Sequence, residues 1–221
     1  MAVINFLEKY HKRTERDYIG RVTGADKAMC SEKAIQYDYD YWDGDRKYGY
    51  GGYHYDGRWK TLAQDFIEHY QLKDGMKVLD VGCGKGFQLY ELKQLLPGLE
   101  IYGADISQYA IDHSKEEIND SLILANATSL PFEDGFFDFA FSLTTFHNFY
   151  NYELDQAIKE IQRVCPSAKK FISIESYRNE KEKANLLYWQ LTCRAFHTPE
   201  EWQWLLDQAG YVGDLGFIFF E

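Results

Sequence analysis

No stretch of this 221-residue sequence stays apolar for the ~20 positions a helix needs to cross a bilayer, and charged residues run through its first helix-like stretch. A membrane-embedded protein is excluded, and no signal peptide is read at the start. Cysteine is scarce: Cys30, Cys83, Cys165 and Cys193 stand far apart, with no CxxC and no His/Cys pair at metal-ligand spacing. That excludes a disulfide framework and a metal site, and predicts the reduced thiols of a soluble, cytoplasmic protein. Positive charge is short too, with 24 Lys and Arg against 35 Asp and Glu, a formal net charge of -11. Such a field repels phosphate backbones and anionic lipid, so neither nucleic acid nor a membrane is an expected partner. No long linker or internal repeat interrupts the chain, and its length suits one domain that buries a substantial core.

Aromatic residues, by contrast, make up 17% of the chain, and many tyrosines crowd between Tyr37 and Tyr55. From Met76 onward short apolar runs alternate with helical spacing. Strands are predicted at Lys77 to Val81, Glu100 to Ala104, Leu122 to Ala125, Phe137 to Ser142, Lys170 to Ile174 and Leu215 to Phe220. Helices are predicted between them, one carrying Leu89, Leu92 and Leu96, one over Gln108 to Ile118, and one with Leu154, Ala157, Ile158 and Ile161 on one face. Thr198-Pro199-Glu200-Glu201 reads as a capped helix start, closed by Gly210. This alternation predicts an α/β fold with a mainly parallel sheet between helices. Upstream, helices are expected at Val3 to Tyr10, Asp26 to Tyr41 and Trp59 to Tyr70. Residues 1–75 thus form a helical, aromatic N-terminal cap on a core of residues 76–221.

The chemistry is concentrated where the first strand meets its helix, at Val78-Leu79-Asp80-Val81-Gly82-Cys83-Gly84-Lys85-Gly86. Glycines there permit a tight turn and let a ligand touch the backbone. The spacing is G-x-G-x-G; a dinucleotide fingerprint would be G-x-G-x-x-G and a P-loop G-x-x-x-x-G-K-[ST], and neither fits. An acid before such a turn resembles the first motif of class I methyltransferases. The resemblance covers Met76 to Glu221 and implies a Rossmann-like fold of seven strands that binds S-adenosylmethionine through Asp80, Gly82, Cys83, Gly84 and Gly86. Asp105, nineteen residues past Gly86, stands at the separation at which an acid meets a ribose. By the resemblance Ile106 flanks the adenine, and Asn126-Ala127 lies at its edge, with an amide where many relatives carry Asp. Cys83 reads as a small turn residue, and Lys85 as a helix-start residue facing solvent.

On the acceptor side, the fourth strand runs out into Ser142-Leu143-Thr144-Thr145-Phe146-His147-Asn148, with no N-P-P-Y-like tetrapeptide. His147 is the candidate general base, since an imidazole titrates near working pH; its alternative is packing beside the next helix. Glu175 and Tyr177, at the end of the fifth strand, are further candidate catalytic residues. The stretch from Arg178 to Trp189 is read as a segment able to close over the site. Arg46, Tyr48, Tyr50, Tyr53 and Arg178 are candidate acceptor-binding residues, because local basicity in an acidic chain suits an anionic or highly polar acceptor. The alternative for the aromatic stretch is packing on the sheet or a homodimer contact.

Tyr41 to Arg46 and Tyr48 to Tyr53, with Gly82 to Gly86, also resemble a bacterial methyltransferase subgroup associated with surface-polysaccharide gene sets, including those of capsular O-methyl phosphoramidate. The expected function is methyl transfer, at oxygen, to a small-molecule acceptor in capsule biosynthesis. Its rivals are a non-catalytic cofactor-binding or scaffolding subunit and a nicotinamide oxidoreductase.

Overall fold

A computed structural model describes residues 1–11, 15–49 and 54–221, with Lys9 through its backbone alone. Apolar runs form the strands β1 (Lys77–Val81), β2 (Glu100–Asp105), β3 (Leu122–Leu124), β4 (Phe139–Leu143), β5 (Lys170–Ser176) and β6 (Asp214–Phe219). They make one sheet in the order β3-β2-β1-β4-β5-β6, and every neighbouring pair is parallel. The expected seventh strand is not found: the described residues hold six, those read from the apolar runs. After β5 the chain makes a single strand, and the outer side of β6 is met by the N-terminal segment. Val3 forms a parallel bridge with Leu215, and Ile4 donates its backbone N–H to the Leu215 carbonyl at 2.7 Å. This order is shared with doubly wound dinucleotide-binding sheets, so topology alone does not choose between cofactors.

Both faces of the sheet are buried, as parallel crossovers demand. Leu79, Val81, Ala140 and Ile172 pack on one side beneath α8 (Asn151–Val164) and α10 (Pro199–Gln208). Val78, Phe139, Phe141 and Phe171 pack on the other beneath α5 (Lys60–Tyr70) and α6 (Phe87–Leu95). The fully buried ring of Phe66 on α5 sits edge-on to Phe139, Phe141 and Phe171 at 5.3–5.5 Å, which fastens the cap to the core. The capped start of α10 is present: the Thr198 hydroxyl accepts from Glu201 N and the Glu201 carboxylate from Thr198 N. Between β2 and β3 the expected long helix is α7 (Gln108–Asp112) followed by a 3-10 segment, Glu116–Ser121. The remaining helix of this half is α9 (Glu180–Trp189).

The cap is more broken than its periodicity predicts. It begins with α1 (Glu8–His11) and α2 (Tyr18–Thr23), and residues expected to start a helix at Val3 instead run along β6. The predicted helix from Asp26 to Tyr41 is two, α3 (Lys27–Ala34) and α4 (Tyr39–Trp42). Tyr37 interrupts it with a left-handed φ of 50°, and Asp38 restarts it by accepting the Tyr39 N–H at 2.8 Å. That break sends α4 across the carboxyl end of the sheet.

Candidate functional site

At the end of β1 the backbone turns through Gly82 and Gly84, both left-handed with φ of 79° and 52°. A Cβ at Gly82 would collide with Thr145 of the β4 loop, and one at Gly84 would lie 2.5 Å from the Trp42 ring on α4. Only glycine allows these approaches. The turn is braced by Asp105 at the end of β2, which accepts the Gly84 N–H at 2.7 Å through Oδ2 and the Ser107 N–H at 2.8 Å through Oδ1. Trp42 donates its indole N–H to Ser107 Oγ at 2.9 Å and to the Tyr37 carbonyl at 3.0 Å. Beside it, Lys85 reaches both carboxylate oxygens of Asp43 at 2.7 Å, and Tyr109 donates to Asp43 at 2.9 Å. Lys85 is only 6% exposed, so it does not face solvent as its place at a helix start suggests.

These elements enclose a cavity of about 330 Å³. Asp80, Gly82, Cys83, Gly84, Asp105, Ile106, Asn126 and Ala127 all line it. Gly86 does not: it precedes α6 with φ 69°, and its missing side chain makes room for Ile118 and Leu122. Asp80 and Asp105 are both buried, and burial raises both carboxyl pKa values; the neighbouring Asp105 raises that of Asp80 further, while the N–H bonds to Asp105 oppose the rise there. Asp80 Oδ1 is buried with no hydrogen-bond partner among the described residues. Two desolvated carboxyls, one with an orphaned oxygen, suit a ligand that brings positive charge and hydroxyl donors. A sulfonium amino acid joined to a nucleoside has both, so the residues fit S-adenosylmethionine. The oxygen of Asn126, expected at the adenine, is already taken by Thr128, through its N–H at 3.0 Å and its hydroxyl at 2.9 Å. Burial, with both carboxyls adding to it, raises the Cys83 thiol pKa, which argues against a nucleophilic thiolate.

Much of the remaining wall comes from Tyr37, Tyr41, Trp42 and Trp59 of the cap and from Leu143, Thr144, Thr145, Asn148, Phe149 and Glu153 at and after the end of β4. Thr144 holds a left-handed φ of 56°, a strained backbone for a β-branched residue, and Asn148 Oδ1 is buried without a partner among the described residues. Periodicity does not single out Trp59, Asn148 or Glu153; the orphaned oxygen marks Asn148, and only their place in the cavity wall marks Trp59 and Glu153.

The candidate catalytic residues lie behind this wall. His147, 2% exposed, faces β5: its Nδ1 accepts from Glu175 N at 3.4 Å, and its carbonyl accepts from Arg194 N and Ala195 N at 2.8 and 3.0 Å. Burial pushes its pKa down to about 3 and that of Glu175 up to about 8. Tyr177 packs in the cluster beneath α5 and α6, with Lys183 5.2 Å from its ring. Arg178 pairs with Glu182 and Glu221 and lies 4.1 Å from the Phe219 ring. α9, expected to close over the site, packs instead against α2. Arg46 lines a separate cavity with Arg21 and Trp189. Tyr48 joins a cluster of Cys30, Ala34 and Leu191 between Lys33 and Lys47. Tyr50 and Tyr53 fall outside the described residues.

Residues 79–172 match a family described as a methyltransferase domain. Demethylmenaquinone methyltransferase of Thermus thermophilus is 32% identical over 138 residues, 60% of each chain. The chain spans about half the length of the curated relatives it matches, 44% to 60% of the first few. Among solved structures, the 4+2 cyclase SpnF superposes over 95% of this chain and 73% of its own at 18% identity, with a TM-score of 0.57. Geranyl diphosphate C-methyltransferase of Streptomyces coelicolor, solved with S-adenosyl-L-homocysteine, superposes over 67% and 59% at 14% identity, TM-score 0.55. Such likenesses show the fold, and a cyclase among them shows that the fold by itself does not name a reaction. The sequence match does more, since it spans the glycine turn and most of β1 to β4, which build the part of the cavity outside the cap. Over residues 79–172 the α/β core is thereby similar to a methyltransferase domain.

Proposed function

We propose that this protein transfers a methyl group from S-adenosylmethionine to a hydroxyl oxygen of a small acceptor. One observation carries the reading: the cofactor-side residues Asp80, Gly84 and Asp105 and the strained β4 loop line one and the same cavity. When bound, S-adenosylmethionine supplies a methyl carbon made electrophilic by its sulfonium. Asp105 and Asp80 offer acceptors for a ribose diol and a cationic amino-acid end, and the glycine turn lets the ligand approach the backbone. Tyr37, Tyr41, Trp42 and Phe149 exclude water and offer flat apolar faces to the acceptor. Glu153, the carboxylate on the acceptor wall, or water would take the proton of the acceptor hydroxyl as it is methylated. His147 and Glu175 act in this reading as positioning residues, pinning the β4 loop from behind.

Within this class, the aromatic wall supports a saccharide-derived acceptor of bacterial surface polysaccharide, because sugar rings present apolar C–H faces that stack on aromatic side chains. Calorimetry with S-adenosylhomocysteine and NADH, followed by transfer of labelled methyl to candidate acceptors, tests the proposal. Tight binding of S-adenosylhomocysteine and acceptor-dependent label transfer are expected. Binding of NADH in its place would restore the oxidoreductase reading, and cofactor binding with no transfer to any acceptor would favour a scaffolding subunit.

A further inference from the structure

A second cavity, about 660 Å³, lies between α2, the loop at Arg46 and the end of α9. Its wall is cationic in a chain where acids outnumber bases by 35 to 24. Three guanidinium carbons surround one indole ring: Arg21 lies 5.1 Å, Arg16 5.5 Å and Arg46 5.8 Å from the Trp189 centroid. Lys47 also lines the cavity but is paired with Asp45 at 3.3 Å, and Glu15 and Asp17 place two carboxylates in the same wall. Asp17 is already engaged as the cap of α2, accepting the Gly20 N–H at 2.8 Å.

The guanidinium of Arg21 is held in place by neutral groups, donating to the carbonyls of Trp189 at 3.2 Å and of Arg46 and Gly49 at 2.6 Å each. These bonds orient the fork. Arg46 forms no ion pair among the described residues. Burial lowers the Arg16 pKa; Tyr18 and Glu175 oppose that fall, and the charge on Arg46 adds to it. Cation-π contact with Trp189 offsets part of that repulsion, and an anion between the forks offsets more.

We propose that this cavity binds an oxyanion of the phosphate class carrying two or more negative charges, at a site separate from the transfer cavity. Among the described residues, none lines both cavities. The cluster of Cys30, Ala34 and Leu191 stands between them: Cys30 and Leu191 face the cationic side, and Tyr41, packed against the cluster, faces the cofactor side. Planar guanidinium forks select oxyanions that accept bidentate bonds, and the volume exceeds what a single phosphate fills. A free polyphosphate and a phosphorylated small molecule share this chemistry.

Titration of the full chain with inorganic pyrophosphate at fixed low ionic strength tests the site, with adenosine diphosphate as a second arm. Saturable binding is expected, weakened by about tenfold or more in Arg46→Glu and less in Arg46→Gln. Lys60→Glu makes the same change in net charge on α5 and is expected to stay within about twofold of wild type. Tighter binding of the nucleoside diphosphate would assign the cavity to phosphorylated small molecules, and equal binding to the free oxyanion. Absence of saturable binding, wild-type affinity in Arg46→Glu, or equal weakening in Lys60→Glu overturns the proposal. S-adenosylhomocysteine titrated into the same samples reports the transfer cavity independently, so failure of one site is told from failure of the other.

Discussion

The imidazole Nε2 of His147 stands 3.4 Å from Glu175 Oε2, and both side chains are buried. With Nδ1 accepting the Glu175 backbone N–H, the ring proton sits on Nε2 and faces the carboxyl group. Burial holds the imidazole neutral down to about pH 3 and the carboxyl protonated up to about pH 8.

This pair sets a stability window. Glu175 is raised from its model-peptide 4.5, so its contribution is full below that pH and is lost as pH rises through about 8. His147 is lowered from 6.5, so its contribution is full above that pH and is lost as pH falls through about 3. The two slopes oppose each other between 4.5 and 6.5 and leave the pair's contribution flat there. Above 6.5 the carboxyl alone acts, so Glu175→Gln is expected to match wild type near pH 5 and exceed it near pH 8 by on the order of 2 to 4 kcal/mol. Urea unfolding at both pH values decides this, and parallel curves for the two proteins would show that Glu175 is ionised in the ordinary range.

Asp105→Ala is expected to weaken S-adenosylhomocysteine binding by about 1.5 to 3 kcal/mol, the range for a charge-assisted acceptor. It also releases the Gly84 and Ser107 N–H groups that the carboxylate now holds. An unchanged dissociation constant by calorimetry would remove Asp105 from the cofactor site.

Gly84→Val places a branched side chain at φ 52° and against the Trp42 ring. Loss of cofactor binding is expected, with destabilisation of about 1 to 3 kcal/mol and displacement of α4. Wild-type affinity in a folded variant would put the cofactor elsewhere.

Removing the Asp43 carboxylate deprives the buried Lys85 ammonium of both its 2.7 Å contacts. Asp43→Ala should therefore cost about 2 to 3 kcal/mol, the lower end for a broken buried pair because Asp43 is itself partly exposed. Lys85→Met added to it should restore most of that loss. Equal and additive losses in the two single variants and the double variant, measured by thermal unfolding, would show that the pair is not coupled.

What could be read in advance was local. The glycine turn, the six apolar strands and the Thr198 cap each depend on a few neighbouring residues, and all are where their patterns put them. The latch of Trp42 and Asp43 onto Ser107 and Lys85 joins positions 65 and 42 apart, and no period in either segment encodes it. His147 shows the other limit. It sits in a 3-10 turn, Phe146–Asn148, where successive side chains point about 120° apart. Composition does not reveal which of the three faces the cavity, and the rotation of the turn gives that place to Asn148 and turns His147 inward.

The parallel bridge between Val3 and Leu215 bears on how copies of this protein can meet. An open sheet ends in two rows of unpaired backbone groups, a template for strand addition by another molecule. Here one border, β3, is only three residues long, and the other is occupied along its start by the chain's own opening residues. Among the described residues neither rim offers a long free ladder, so association by β-augmentation is discouraged at both.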